Sequence, residues 1–409
     1  MMTPQSPGNL RVGVDIAVLR SPLTGIGNYQ HALLQALGQL APGVTYRGFD
    51  RLHWVSVDQE LLARVEACRP GPGPDGQGEA LRSGKAIRHA IFVWARSNRH
   101  VRALRDFARA QAFTYSIFAQ KLDLFHAFTY RPPGKANCPV VPVVHDLSTE
   151  RYPETHPAGR IEWMRPVADL CRKAPVIHTV SEFSAREIVE LYGIERPRIH
   201  VIHPGVNPLF RRRSDKPTDI LTRLDLTAGE FFLAVSTIEP RKNFRTLIEA
   251  FSRLPPALRQ RFPLVVVGAK GWGDARLPGV LDELLQEASV KFAGFVPNEA
   301  LRDLYEGTRA LFYPSIYEGF GMPITEALAC GAPVVTSSVS SMPEAGGPFA
   351  RLVDPMNVDG WTAEFSRAIE ADDHLDLDAR SSRQKYTEAF SWEAASAKTL
   401  AMYEAALAR

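Results

Sequence analysis

The sequence predicts a two-domain α/β protein in which each domain is a doubly wound parallel sheet and the two face a common cleft. Three observations carry this. The chain has 409 residues, too many for one ordinary core. Short apolar runs of strand length alternate with longer segments of helical periodicity, the pattern of parallel α/β units. A polar, uneven stretch, "NPLFRRRSDKPTDILTRLDLTAGE", splits that pattern into two series.

The first series has strands at "LRVGVDI", "LDLFHAF", "VVPVVH", "VIHTVS" and "IHVIHPG", with helices such as "GNYQHALLQALGQL" and "FSAREIVELYG" between them. The second has strands at "FFLAVST", "FPLVVVGA", "VKFAGF", "RALFYPS" and "APVVTSS". An amphipathic helix, "SWEAASAKTLAMYEAALAR", closes the chain. The expected division is residues 1–207, a connection at 208–229, a second domain at 230–385 and the closing helix at 386–409. In such sheets ligands bind beyond the carboxyl ends of the strands.

Composition excludes several classes. With 45% hydrophobic and 23% charged residues this is an ordinary globular chain. A net charge of +3 is too weak to argue for nucleic acid. Cys68, Cys138, Cys171 and Cys330 lie far apart without a C-x-x-C pair. That spacing argues for a reducing compartment and against a disulfide framework or a zinc site. The N-terminus lacks an apolar core segment and no run is long enough to span a membrane. The expected location is the cytoplasm.

The densest chemistry lies in "SIYEGFGMPITEALACGAPVV", Ser315 to Val335. "ALFYPS" reads as a strand, "IYEGFGM" as the loop at its carboxyl end and "PITEALACG" as a helix. Pro323 suits a first helical position and Gly331 a helical stop. The first N–H groups of the helix have no internal partner and carry the positive end of its dipole. Gly319 and Gly321 let the backbone approach a ligand closely. The loop is therefore fit for phosphate. Glu326, one turn inside, leans back toward it and suits the hydroxyls of a ribose. Glu318 suits hydroxyls further along the same ligand. Hydroxyls at both ends with phosphates between them describe a nucleotide sugar.

These two glutamates, separated by seven residues, resemble the hallmark of the retaining glycosyltransferases of family four, which have the GT-B fold of two Rossmann-like domains. "TGIGNY", "VVHDLS", "TVSEFSA", "VIHPGVN", "STIEPRKNFRTLIEAF", "VVVGAKGWG" and "FAGFVP" fall in the expected order, so the resemblance covers nearly the whole chain. It looks closest to the bacterial mannosyl- and rhamnosyltransferases of surface polysaccharides such as O-antigen.

The other motifs are weighed beside that resemblance. Arg241 and Lys242 in "STIEPRKNF" are adjacent cations at a strand end, where charge building on a departing diphosphate needs them. "TGIGNY" supplies Gly25 and Gly27, only two of the three glycines of a dinucleotide fingerprint. The resemblance implies that this loop faces the diphosphate and the acceptor, with Tyr29 on the acceptor side. In "VVHDLS", His145 matches a histidine that faces the donor sugar in the family. Asp146 beside it would orient it or meet the acceptor, and His126 is the rival histidine. Ser181 resembles a residue facing the diphosphate or sugar, and equally suits a helix N-cap. Val296 resembles the position whose backbone reads the nucleobase. Gly319, Phe320, Gly321, Met322, Ile324 and Glu326 complete the donor set.

No metal is expected: the one Asp-x-Asp, Asp376 to Asp378, follows no apolar strand. The stretch 82–110 is strongly basic, with Asp106 its only acid. Ile87, Ile91, Trp94, Val101, Leu104 and Ala108 share one helical face, suited to an anionic membrane surface or to the core of a domain. Together these imply a metal-independent, retaining transfer of a hexose, mannose or a relative, from an NDP-sugar, GDP-mannose first. The acceptor would be a saccharide or a lipid-linked saccharide. No cofactor is implied, the nucleotide sugar being a co-substrate. Rival readings are a related nucleotide-sugar hydrolase or epimerase and a non-catalytic nucleotide-sugar binding protein.

Overall fold

The computed structural model describes residues 10–19, 23, 25–68, 99–211, 216–269 and 279–408. Among them are two sheets. The first contains β1 (Arg11–Asp15), β2 (Thr45–Asp50), β3 (His53–Val57), β4 (Leu124–Ala127), β5 (Val140–Val144), β6 (Ile177–Thr179) and β7 (Ile199–Val201), in the order β3-β2-β1-β4-β5-β6-β7. The second contains β8 (Phe232–Val235), β9 (Leu264–Val267), β10 (Val290–Gly294), β11 (Ala310–Tyr313), β12 (Val334–Ser337) and β13 (Ala350–Val353), in the order β10-β9-β8-β11-β12-β13. Every pairing in the second sheet is parallel. Its four inner strands, β8, β9, β11 and β12, are almost wholly buried and predominantly apolar, as expected where helices cover both faces.

Two strands of the first sheet were not legible as such. β2 and β3 form an antiparallel hairpin whose turn places Arg51 at φ 57°. Gly48 in β2 sits where a Cβ would meet Val57 Cγ2 at 2.7 Å. The glycine answers to cross-strand packing although its strand propensity is poor.

By packing, residues 1–144, 169–178 and 396–409 form one unit, and 145–168 with 179–395 form the other. The expected boundary at 207 therefore differs from the packing. Residues 145–168 and 179–207 group with the second unit, as does the expected connection 208–229. Within that connection Phe210 and Ile220 are buried, and Phe210 lies against Tyr305 at 5.7 Å between ring centroids. A free polar spacer would bury neither. The terminal helix Trp392–Leu407 is divided, grouping with the first unit from Ser396 onward.

Each unit has its own aromatic core. In the first, Phe49, Phe113 and Phe125 pack with Trp54. In the second, Phe232, Phe251, Phe312, Trp361 and Phe365 fill the space between the sheet and its helices. No helix among the described residues is long and apolar enough to cross a membrane.

Candidate active site

The second sheet reverses its winding between β8 and β11, so the loops after these two strands flank one crevice. They are the loop running to Asn243 and the glutamate–glycine loop 314–321. Several hydrogen bonds hold them in register. Ile316 N donates to Arg241 O at 2.8 Å. Asn243 Nδ2 donates to Pro314 O at 3.1 Å and to Pro355 O at 2.6 Å. Asn243 stands at φ 56°, a left-handed conformation that asparagine tolerates, and it ends the turn Pro240–Lys242 before the helix Phe244–Ser252.

This register brings Arg241 and Lys242 onto Glu318. Lys242 Nζ lies 2.5 Å from Glu318 Oε1, and Arg241 Nη1 lies 3.1 Å from Oε2. Tyr313 and Ser315 hydroxyls also donate to Oε1, at 2.7 and 2.8 Å. Both Lys242 and Glu318 are buried, at 7% and 6% exposure. Burial alone would raise the carboxyl pKa of Glu318, but the charges of Lys242 and Arg241 outweigh it and hold it at about 2. Glu318 was expected to meet ligand hydroxyls. Its carboxylate instead meets the two cations and two hydroxyls of its own chain.

Glu326 is different. It sits one turn into the helix Met322–Ala329, and its Oε2 accepts from Tyr305 Oη at 3.0 Å. Burial pushes its carboxyl up to about 7. The helix around it is stopped as expected. Pro323 occupies its first turn, and Gly331, at φ 81°, follows the last residue. Gly331 N donates to Leu328 O and Ala332 N to Ala327 O, the paired bonds of a Schellman stop.

The glycines serve packing as well as backbone approach. A Cβ on Gly319 would collide with the His145 carbonyl oxygen. Gly321, at φ 96°, adopts a backbone conformation that L side chains rarely take. Phe320 is buried between His203 and Phe390, at 5.6 and 5.5 Å between centroids, and Ile324 is fully buried. Those two side chains are core, which leaves only their backbone to the donor set. Met322 is half-buried at the first helical position.

His145 and Asp146 follow β5 and border the same loops. Ser184 Oγ donates to His145 O at 3.4 Å and to Gly319 O at 3.3 Å. Asp146 Oδ1 accepts from Ser148 N and Oγ at 3.0 and 2.7 Å. Burial opposes its charge, but Arg241 and these bonds outweigh burial and keep its pKa low.

Ser181 follows the alternative reading, a cap. Its Oγ accepts from Ser184 N at 3.0 Å at the head of the helix Glu182–Tyr192, and it is fully buried. Glu344 holds the next two N–H groups, Glu182 N at 2.8 Å and Phe183 N at 3.1 Å. With those groups taken, that helix end is no diphosphate cradle. Val296 is buried just beyond β10.

The residues of "TGIGNY" depart from expectation. Thr24 lies outside the described residues, and Gly25 to Tyr29 belong to the helix Gly25–Leu40 instead of a loop. At Gly25 a Cβ would meet nothing within 4 Å, whereas at Gly27 it would meet Val18 O at 2.7 Å. Tyr29, expected beside the acceptor, is 2% exposed and its hydroxyl pairs with His178 Nε2 at 2.8 Å. His178 Nδ1 meets His126 Nε2 at 2.9 Å, and His126 Nδ1 meets Tyr403 Oη at 2.8 Å. His126 is thus a core residue of the first unit.

Asp376 caps the helix Leu377–Thr387 by accepting from Ala379 N at 2.9 Å, on the surface as expected. Among the described residues no cluster of three or more His, Cys, Asp or Glu gathers as a metal site. Residues 82–98 of the basic stretch lie outside the described residues. The remainder opens the helix Arg99–Ser116, where Leu104 and Phe107 are exposed. Sequence reasoning missed Tyr313 and Ser315, which look like ordinary strand-end residues until the loop folds back. It also missed Glu239, although that acid stands two residues before Arg241.

Residues 224–388 match the family described as Glycosyl transferases group 1, and residues 59–209 match Glycosyltransferase Family 4. O-antigen chain mannosyltransferase B of Escherichia coli is 31% identical over 388 residues, covering 94% of this chain and 97% of that one. The MMP alpha-(1->4)-mannosyltransferase of Mycolicibacterium hassiacum is 29% identical over 291 residues, 68% of this chain and 67% of its own. HepE of Anabaena, solved with UDP and glucose, superposes with a TM-score of 0.64 at 19% identity, over 96% of this chain and 99% of its own. The fold is GT-B. By these matches the chain belongs to the group 1 and family 4 glycosyltransferases.

Proposed function

We propose that the chain transfers a hexose, mannose first, from a GDP-linked sugar to a saccharide or lipid-linked saccharide during surface polysaccharide synthesis, with retention and without metal. The observation that carries this is the pair of half-buried Arg241 and buried Lys242 at the winding reversal of the second sheet, aligned by Glu318. As the sugar–phosphate bond breaks, negative charge grows on the diphosphate, and fixed cations in a dry crevice stabilise it most in the transition state. The acceptor oxygen bonds to the anomeric carbon on the face the diphosphate leaves, and its proton passes to a departing phosphate oxygen. No protein nucleophile is assigned. The printed name of the Escherichia coli relative supports mannose, and the base follows the family resemblance.

On the acceptor side, we propose contact with an anionic membrane along the helix Arg99–Ser116. Exposed Leu104, Phe107, Tyr115 and, just beyond the helix, Phe118 support it, next to the basic composition of residues 82–110.

A thermal-shift panel of nucleotide sugars tests the donor, since a ligand that binds only the folded state raises Tm. GDP-mannose should give the largest shift, and transfer should persist in EDTA. Transfer that stops in EDTA and returns with manganese would refute metal independence. Donor turnover equally fast without acceptor would make the protein a hydrolase. Phe107→Ser with Leu104→Ser should weaken binding to vesicles rich in phosphatidylglycerol, and unchanged binding removes the membrane contact.

A further inference from the structure

One buried acid at this strand end has a charged neighbour and no hydrogen-bond donor. Glu239 immediately precedes the turn Pro240–Lys242 and is 1% exposed. Among the described residues neither of its carboxylate oxygens accepts a hydrogen bond. Oε1 lies 2.8 Å from Arg241 Nε, yet that N–H is not aligned on it and makes no hydrogen bond. Buried carboxylates are normally satisfied, and leaving both oxygens unmet is costly. Glu318, by contrast, has four donors on its two oxygens.

The charges around Glu239 show what the vacancy suits. Arg241 and Lys242 face it from its own turn, Glu318 from the loop after β11, and Asp146 from the loop after β5. Glu318 and Asp146 already balance the two cations. An ionised Glu239 is then a surplus negative charge, where a diphosphate brings more of the same sign.

We propose that Glu239 takes up a proton from solvent when a nucleoside diphosphate binds, and in its neutral form offers an O–H to the ligand. The inference rests on reading this crevice as the nucleotide-sugar site. Two facts support it beyond the geometry. Burial pushes the Glu239 carboxyl up, with Arg241 and Lys242 opposing and Glu318 and Asp146 adding to the rise. An incoming anion disfavours the charged carboxylate further. Neutralising Glu239 also leaves the guanidinium of Arg241 one carboxylate fewer to serve, so more of its charge is available to phosphate. Glu239 would thereby link donor affinity to pH.

The test is titration calorimetry of GDP and UDP into the full chain, repeated in buffers of different ionisation enthalpy, which counts the protons exchanged. It is run from about pH 6 to about pH 8. At the upper end a terminal phosphate, which loses its second proton near about pH 6, supplies none. The wild type should gain up to one proton per nucleotide bound, and Glu239→Gln should bind with no net gain. Binding by the wild type without proton uptake at any pH in the range overturns the inference and leaves the site reading intact. Uptake that persists in Glu239→Gln assigns the proton to another group, such as His145 or His156, and also overturns it. No binding by either nucleotide, nor by any other nucleoside diphosphate, overturns the site reading itself and takes this inference with it. Should Glu239→Gln fail to fold, Glu239→Ala takes its place with the same expected loss of uptake, and uptake that persists in it overturns the inference.

Discussion

A buried polar network in each unit invites comparison, and the two differ in charge. In the first unit, Tyr29, His178, His126 and Tyr403 pass hydrogen bonds of 2.8 to 2.9 Å along a line of groups that are all satisfied when neutral. In the second, Arg241 and Lys242 crowd onto Glu318 with Glu239 and Asp146 close by. The first arrangement is what a well-packed core asks of its polar side chains: every proton is shared and no charge is buried. The second carries a desolvation cost of several kcal/mol per ion, which well-packed hydrophobic residues would avoid. A fold does not need it. A ligand whose own charge grows during reaction does, and that difference is the reason for proposing the second unit as the seat of the chemistry.

The largest expected effect tests the charged network directly. Lys242→Ala should lower turnover by about a hundredfold or more, the typical loss on removing one preorganised donor from a developing anion. Its effect on donor affinity should be smaller. Lys242→Arg should recover part of the rate, since charge survives and geometry does not. Steady-state kinetics on variants shown to be folded by circular dichroism decide it: near-normal turnover in Lys242→Ala ends the leaving-group role and collapses the contrast between the networks.

Next in size is the stability that Glu318 confers. Its folded pKa, about 2, lies below the ordinary glutamate value of 4.5. The contribution is therefore fully present above about pH 4.5 and is lost as pH falls toward 2. Breaking a buried pair by removing one partner costs about 3–5 kcal/mol. Glu318→Gln should thus be less stable at pH 7 and should lose less further stability between pH 4.5 and 2. Urea midpoints across that range read both effects, and parallel curves for variant and wild type would mean the ion pairs contribute nothing.

The smallest effect sharpens the other side. Tyr29→Phe removes one end of the neutral network and should cost about 1 kcal/mol, with donor affinity and turnover unchanged. A drop in turnover without a matching drop in stability would return Tyr29 to the acceptor side.

Much of the scaffold was legible because it is written locally. The apolar runs marked five strands of the second sheet but not β13, whose "ARLV" exposes its two middle residues, and Pro323 and Gly331 marked the ends of the helix that carries Glu326. The strand-end position of Arg241 and Lys242 followed from the same reading. What failed was partnership. Glu318 looked like a loop acid free for a ligand, because Lys242 stands 76 residues away and only the winding reversal brings it near. Tyr29 and Ser181 carried suitable functional groups, but burial and capping engage them within the fold. Phe320 sits within the glycine-rich motif, and nothing in its spacing says that its ring belongs between His203 and Phe390. The β2–β3 hairpin escaped because Gly48 and the charges of "TYRGFD" mask its alternation.

The contact between Gly319 and the His145 carbonyl has a consequence for recombining such enzymes. The two family matches end at residue 209 and begin again at residue 224, an inviting seam for exchanging the donor half with that of a relative. A crossover there would take Gly319 from one parent and His145 from the other. The two loops fit only because one has no Cβ where the other presents a carbonyl. A hybrid whose donor half carries any side chain at the position of Gly319 would drive a Cβ into that carbonyl, whereas transplants that move 145–148 together with 318–321 would keep the socket whole.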